Sequence, residues 1–245
     1  EAVEFFKSLE ASYYSPDYFF DIVPEFKIVF VQVPKAGSST VKLILSRAAG
    51  GNPQTERDIH KRKTSCLLSP RMYGLNRFYA LLNDPEAFIF TVTRHPLERL
   101  LSCYKDKFLP YKASEPTPYN KEALALLKGI GTTEIDPDQP LPLEAFLRMA
   151  CNSNYARING HWSAMSDIVP IDKISFTHIG RLSEIGQTMN LLKQRGLPSS
   201  AFPETAVNQS KQPKKLPDLD LELANLVNQA YAADFKNFGY SPIGQ

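Results

Sequence analysis

Short apolar runs alternate along the chain with segments whose apolar residues recur every three or four positions. Lys27–Val33 is rich in Val, Ile and Phe and is closed by Pro34, which predicts a buried strand. Val41, Ile44, Leu45 and Ala48 then follow at helical spacing, and Gly50-Gly51 stops that helix. The pattern repeats: Ala87–Thr93 (AFIFTVT) predicts a second strand. Pro96 opens a helix with Leu97, Leu100, Leu101, Tyr104 and Phe108 on one face. A third strand is expected at Ile174–Ile179, and further helices at Leu143–Ala150, Glu184–Gln194 and Leu219–Phe235. Strands alternating with helices predict an α/β fold with a central, mainly parallel sheet flanked by helices.

Three segments break this rhythm. Residues 1–26 are rich in Phe and Tyr and are expected to form an N-terminal arm, a short helix followed by irregular chain. Residues 110–142 hold Pro110, Pro116, Pro118, Pro137, Pro140 and Pro142, and residues 199–217 are polar with Lys211, Lys214 and Lys215. Both read as long surface loops, the second as a cationic lid. Neither resembles an interdomain linker, so the 245 residues are expected to form a single domain, long enough to bury a core without staples.

Composition narrows the function. Lys plus Arg number 28 against 26 for Asp plus Glu, a net charge of +2, which excludes nucleic-acid binding through bulk charge. The 43% hydrophobic and 22% charged residues exclude a mainly disordered chain. Cys66, Cys103 and Cys151 and the four histidines are scattered without metal-ligand spacing, so no metal site is expected. No apolar run approaches the ~18 residues of a membrane span, and the first residues carry no basic leader. A soluble chain with no membrane segment is the expectation.

Two strand-to-helix junctions carry candidate chemistry. The first is Lys35-Ala36-Gly37-Ser38-Ser39-Thr40. Small residues let the backbone curl so that N–H groups converge, the helix behind contributes its positive end, and Lys35 and three hydroxyls add donors. That chemistry suits a phosphate. Lys35 precedes Gly37, so the loop is not G-x-x-x-x-G-K-[ST], which argues against a kinase or nucleotide triphosphatase. The second junction places Arg94 at the carboxyl end of a strand and Ser102 two turns into the next helix, a guanidinium fork and a hydroxyl for another phosphate.

Taken together, the two junctions resemble the sulfotransferases that use 3′-phosphoadenosine 5′-phosphosulfate (PAPS), most of all the Golgi carbohydrate sulfotransferase branch and its bacterial relatives. Lys35–Thr40 is similar to that family's P-K-x-[GA]-[ST]-[ST]-[ST] loop, which holds the 5′-phosphosulfate. Arg94–Tyr104 is similar to its R-x-P-x-x-R-[LF]-x-S-x-Y segment, which holds the 3′-phosphate. Fainter echoes are His60 between the two elements, Gly160-His161-Trp162, His178–Glu184 and Asp234–Tyr240. The resemblance implies a P-loop-like domain, PAPS as co-substrate without a metal, and a hydroxylated acceptor, above all a glycan or sugar-containing molecule. A small natural-product or lipid alcohol is the alternative acceptor, and a non-catalytic nucleotide-binding module the alternative class. Ser163–Ser175 lacks the Cys pair that Golgi members often carry, which favours a cytoplasmic, bacterial-type member, or the Golgi lumen if an N-terminal anchor has been trimmed.

The resemblance also implies roles. Lys35 and the N–H groups of residues 37–40 would stabilise charge on the leaving phosphate, and His60 would take the acceptor's proton. His161 and Trp162 would bind the acceptor. His95 and His178 are expected to be structural. Glu98 and Glu184 are the rival carboxylate bases, each also suited to bracing an arginine.

Overall fold

The computed structural model describes residues 1–109, 141–154, 156–157, 159–203 and 217–244. The expected loops at 110–142 and 199–217, with Lys211, Lys214 and Lys215, fall mostly outside these residues. In chain order the helices are α1 (Ala2–Ser12), α2 (Pro16–Phe19), α3 (Ser38–Ala48), α4 (Glu56–Ile59), α5 (Arg62–Ser65), α6 (Pro70–Tyr73), α7 (Leu75–Leu82), α8 (Pro96–Lys107), α9 (Leu143–Cys151), α10 (Ile185–Gln194), α11 (Leu221–Ala230) and α12 (Ala232–Phe238). The chain divides into two compact units, residues 1–94 with 167–214 and residues 95–166 with 215–245.

The first unit holds the sheet. Its strands are β1 (Phe20–Val23), β2 (Ile28–Val31), β3 (Phe88–Thr93) and β4 (His178–Arg181), in spatial order β1-β2-β3-β4. β2, β3 and β4 run parallel, and β1 lies antiparallel to β2. β2 and β3 are buried at every position, which is why they read as unbroken apolar runs rather than as an alternation. Val23, Ile28, Phe30, Phe88, Phe90 and Val92 pack against Val41, Ile44 and Leu45 of α3 and Leu192 of α10. The Phe30 and Phe90 rings stack at 4.9 Å across the central pair of strands.

Two local expectations are corrected here. Part of the arm expected to be irregular is β1, a sheet strand with Asp21 buried in its middle. A charged residue hides such a strand from any apolar pattern. The third parallel strand begins at His178 rather than Ile174. It runs through Gly180, where a Cβ would stand 2.4 Å from the Thr188 hydroxyl, so α10 lies close against bare backbone.

The second unit is helical. Leu97, Leu100 and Phe108 of the α8 segment join Phe146 and Leu147 of α9, Val227 of α11, Tyr231 and Phe235 around Trp162. Asp220 caps α11 by accepting from the Leu223 N–H at 2.7 Å. The helix expected over 219–235 is two: the backbone turns at Tyr231 (φ −110°, ψ 21°) between α11 and α12. The buried Tyr231 hydroxyl donates to the Trp162 carbonyl, a tertiary bond that overrides the local helical pattern.

Candidate active site

The carboxyl ends of the three parallel strands in the first unit converge on one loop, the usual ligand end of an open α/β sheet. After β2 the backbone turns at Lys35 (φ 66°) and Gly37 (φ 83°), both left-handed, with Ala36 buried between them. Left-handed residues two apart curl the main chain into a concavity of N–H groups. The turn is closed by the Ala36 N–H donating to the Val33 carbonyl at 3.3 Å and the Thr40 N–H donating to the Gly37 carbonyl at 3.1 Å. α3 starts at once with Ser38, so the positive end of an 11-residue helix faces the same point. Ser38 is buried, whereas Lys35, Ser39 and Thr40 are half-buried at the rim.

Gly37 also allows a close approach. A Cβ there would lie 2.7 Å from Cδ1 of Leu182, the residue that follows β4. Arg94, which follows β3, is half-buried and donates from Nη1 to the Lys35 carbonyl at 3.3 Å. This bond joins the two strand-to-helix junctions that the sequence singled out separately. The loop between Pro34 and Thr40 contains no carboxylate, so its chemistry fits a polyanion.

His60 is exposed and ends α4. Its turn is stitched locally. Thr55 and Asp58 form a capping box, Lys61 pairs with Asp58 at 3.0 Å, and the Thr64 hydroxyl donates to the Asp58 carbonyl at 2.6 Å. α4 and α5 both pack against α3, which brings the histidine-bearing turn onto the helix that follows the Lys35–Thr40 loop. Lys61, Arg62 and Lys63 follow His60. Lys61 and Lys63 are exposed, while Arg62 turns inward to Asp21.

In the second unit Ser102 is half-buried on α8. His161 is half-buried, and its Nδ1 lies 2.8 Å from Oδ1 of Asn159, an atom that also accepts the His161 N–H at 3.0 Å. Because that N–H can only donate, the shared atom is an acceptor. The imidazole proton therefore sits on Nδ1, and Nε2 carries the lone pair of the neutral ring. Trp162 is fully buried, so its ring packs the core of this unit rather than meeting solvent.

Two residues that the sequence did not single out hold the His161 segment. Arg99, fully buried, donates to the carbonyls of Gly160 and Ser163. Asp234, fully buried, accepts from the N–H groups of Met165 and Ser166 and from the Ser166 hydroxyl, each at 2.8 Å. Burial raises the Asp234 carboxyl above its ordinary value, and those N–H donors pull it back down. Both residues lie inside motifs already quoted, so position was legible while role was not.

The remaining histidines pack. His95 Nε2 meets the Ser241 carbonyl at 3.1 Å and the ring stands edge-on to Phe235 and Tyr240. His178 Nε2 lies 2.9 Å from the Thr188 hydroxyl. Burial lowers the pKa of both. Glu98 is half-buried and Glu184 exposed. Among the described residues no group of His, Cys, Asp or Glu could hold a metal, and no helix is long and apolar enough to cross a membrane.

Residues 18–241 match a family model described as the sulfotransferase family. Carbohydrate sulfotransferase 10 of Pongo abelii and that of Gallus gallus are each 23% identical over 232 residues, 87% of this chain and 64% of the relative. The Mus musculus protein of that name is 22% identical over 258 residues, covering 98% of this chain and 71% of the relative. The chain thus spans 64% of the length of the first two relatives. No solved structure matches.

Proposed function

The chain belongs to the sulfotransferase family, and on that premise we propose that it transfers a sulfuryl group from PAPS to an acceptor hydroxyl, on a carbohydrate by preference, releasing adenosine 3′,5′-bisphosphate. The observation that supports this reading is the bond from Arg94 to the Lys35 carbonyl, which brings the two motifs into contact. The carbohydrate preference follows the names of the matched relatives. We read residues 1–245 as one sulfotransferase domain, of which 18–241 match the family model, and the strand–loop–helix of β2 and α3 as P-loop-like.

Lys35 and the N–H groups of residues 37–39 fit the 5′-phosphosulfate end, the Thr40 N–H being taken by the Gly37 carbonyl, and Arg94 fits the 3′-phosphate. From the motifs alone, Ser102 joins Arg94 and His161 contributes to acceptor binding. Bound PAPS would supply the sulfuryl group and a phosphate leaving group. As the new S–O bond forms and the bond to the 5′-phosphate breaks, charge grows on the leaving oxygen. Lys35 and the loop N–H groups neutralise that charge without reorganising. His60 takes the proton of the acceptor hydroxyl, whose own pKa is too high for it to leave unaided.

The test is mass-spectrometric detection of O-sulfated product from PAPS and a panel of glycans and simple alcohols. His60→Ala should lower turnover by ~10²-fold or more with little change in bisphosphate affinity. Turnover that stays within about three-fold removes His60 as the base.

A further inference from the structure

Beyond the phosphate loop, the first unit buries one carboxylate that the proposed reaction does not use. Asp21 in β1 is fully buried, and its two oxygens meet cations from two different segments. Oδ1 accepts from Nη1 of Arg62. Oδ2 lies 3.4 Å from Nζ of Lys42, whose side chain is only 4% exposed. Lys42 stands one turn past Ser38 on α3 and also reaches Gln32 Oε1 at 3.4 Å. Arg62 lies two residues past His60 and donates from Nη2 to the carbonyls of Asp17 at 2.8 Å and Phe20 at 2.9 Å.

Stability is a poor account of such a cluster. Taking three charges out of water costs about as much as their attraction returns, and an apolar replacement would serve as well. Geometry is a better one, because each contact fixes a direction. Asp21 touches both the helix behind the loop, through Lys42, and the turn bearing His60, through Arg62.

We propose that Asp21 is a positioning residue. Through Lys42 it sets α3, and through Arg62 it sets the His60 turn, so that the loop and the histidine keep one spacing. The catalytic consequence rests on the reading of His60 as proton acceptor. Arg62 is the lever: its planar fork satisfies a carboxylate and two carbonyls at once, which the point charge of a lysine cannot do.

The experiment uses Arg62→Gln and Arg62→Lys, each in the wild-type and His60→Ala backgrounds, because Asp21 variants could simply misfold. Hydrogen exchange comes first and needs no turnover. In Arg62→Gln the amides of residues 55–65 should exchange ~10-fold faster while those of β3 do not change. Turnover comes second. A misplaced base should lower kcat by roughly 10- to 100-fold, with bisphosphate affinity held within about three-fold and part of the loss recovered by Arg62→Lys. In the His60→Ala background the same change should alter kcat by less than about two-fold, since the group it positions is gone. Unchanged exchange at 55–65, or equal fold losses in both backgrounds, overturns the proposal. Turnover that survives His60→Ala refutes the assignment of the base and not the coupling, which the exchange data then decide alone.

Discussion

Replacing Gly37 by alanine perturbs the Lys35–Thr40 loop at its tightest point. The residue has φ 83°, where an L side chain is strained by about 1 kcal/mol or more. Its new Cβ would lie 2.7 Å from Leu182 Cδ1. That carbon is the end of a flexible side chain, so it can move aside into a less favourable rotamer for roughly 0.5–1.5 kcal/mol. The sum predicts a loss of about 2 kcal/mol in urea unfolding followed by circular dichroism. Because the strain sits among the N–H groups of the loop, the affinity for adenosine 3′,5′-bisphosphate should fall ~10-fold by calorimetry. Leu182→Ala separates the two contributions. In the double variant the contact is relieved and the backbone strain stays, so the two substitutions should show a favourable coupling of about 1 kcal/mol. A Gly37→Ala protein that unfolds at the wild-type midpoint and binds the bisphosphate as tightly would refute this account of the loop.

Asp234→Ala strands the buried Met165 N–H and the part-buried N–H and hydroxyl of Ser166 and should cost about 3 kcal/mol in urea unfolding; a loss below ~1 kcal/mol would mean that the segment repacks without it. Asp220→Ala removes the cap of α11 and should cost about 1 kcal/mol while leaving bisphosphate affinity unchanged, with unchanged stability as the contrary result. Stability should also fall between pH 7.5 and 6. His95 and His178 have folded pKa values lowered by burial, so as pH drops through 6.5 the unfolded chain takes up protons that the folded chain refuses. The raised Asp234 acts in the opposite sense, from 3.8 upward. A flat or rising profile over pH 7.5–6 in urea midpoints contradicts it.

The parallel part of the sheet was legible because β2 and β3 are buried on both faces and therefore unbroken in their apolarity. The same rule concealed β1, whose Asp21 is neutralised by side chains from distant segments. It also misplaced β4, where Gly180 and His178 are set by the close approach of α10 rather than by hydropathy. The strand-to-helix junctions at Lys35–Thr40 and Arg94 were readable from the apolar runs that precede them and the helical spacing that follows. Their mutual contact was not, because it depends on the β2–β3 register. Arg62 lies between two lysines in the sequence, and only the fold turns it inward. The resemblance implied that Trp162 binds the acceptor; its ring is fully buried in the second unit's cluster, a placement the sequence did not show.

The central claim is that Lys35 and Arg94 serve one ligand with two phosphate ends. Calorimetric titration of the chain with adenosine 3′,5′-bisphosphate, with adenosine 5′-monophosphate in parallel and Arg94→Gln as the variant, tests it most directly. The bisphosphate should bind at least ~10-fold more tightly than the monophosphate, the worth of one charge-assisted contact, and Arg94→Gln should erase that difference. Equal affinity for the two nucleotides in the wild-type chain, or a preference that survives Arg94→Gln, would contradict the account.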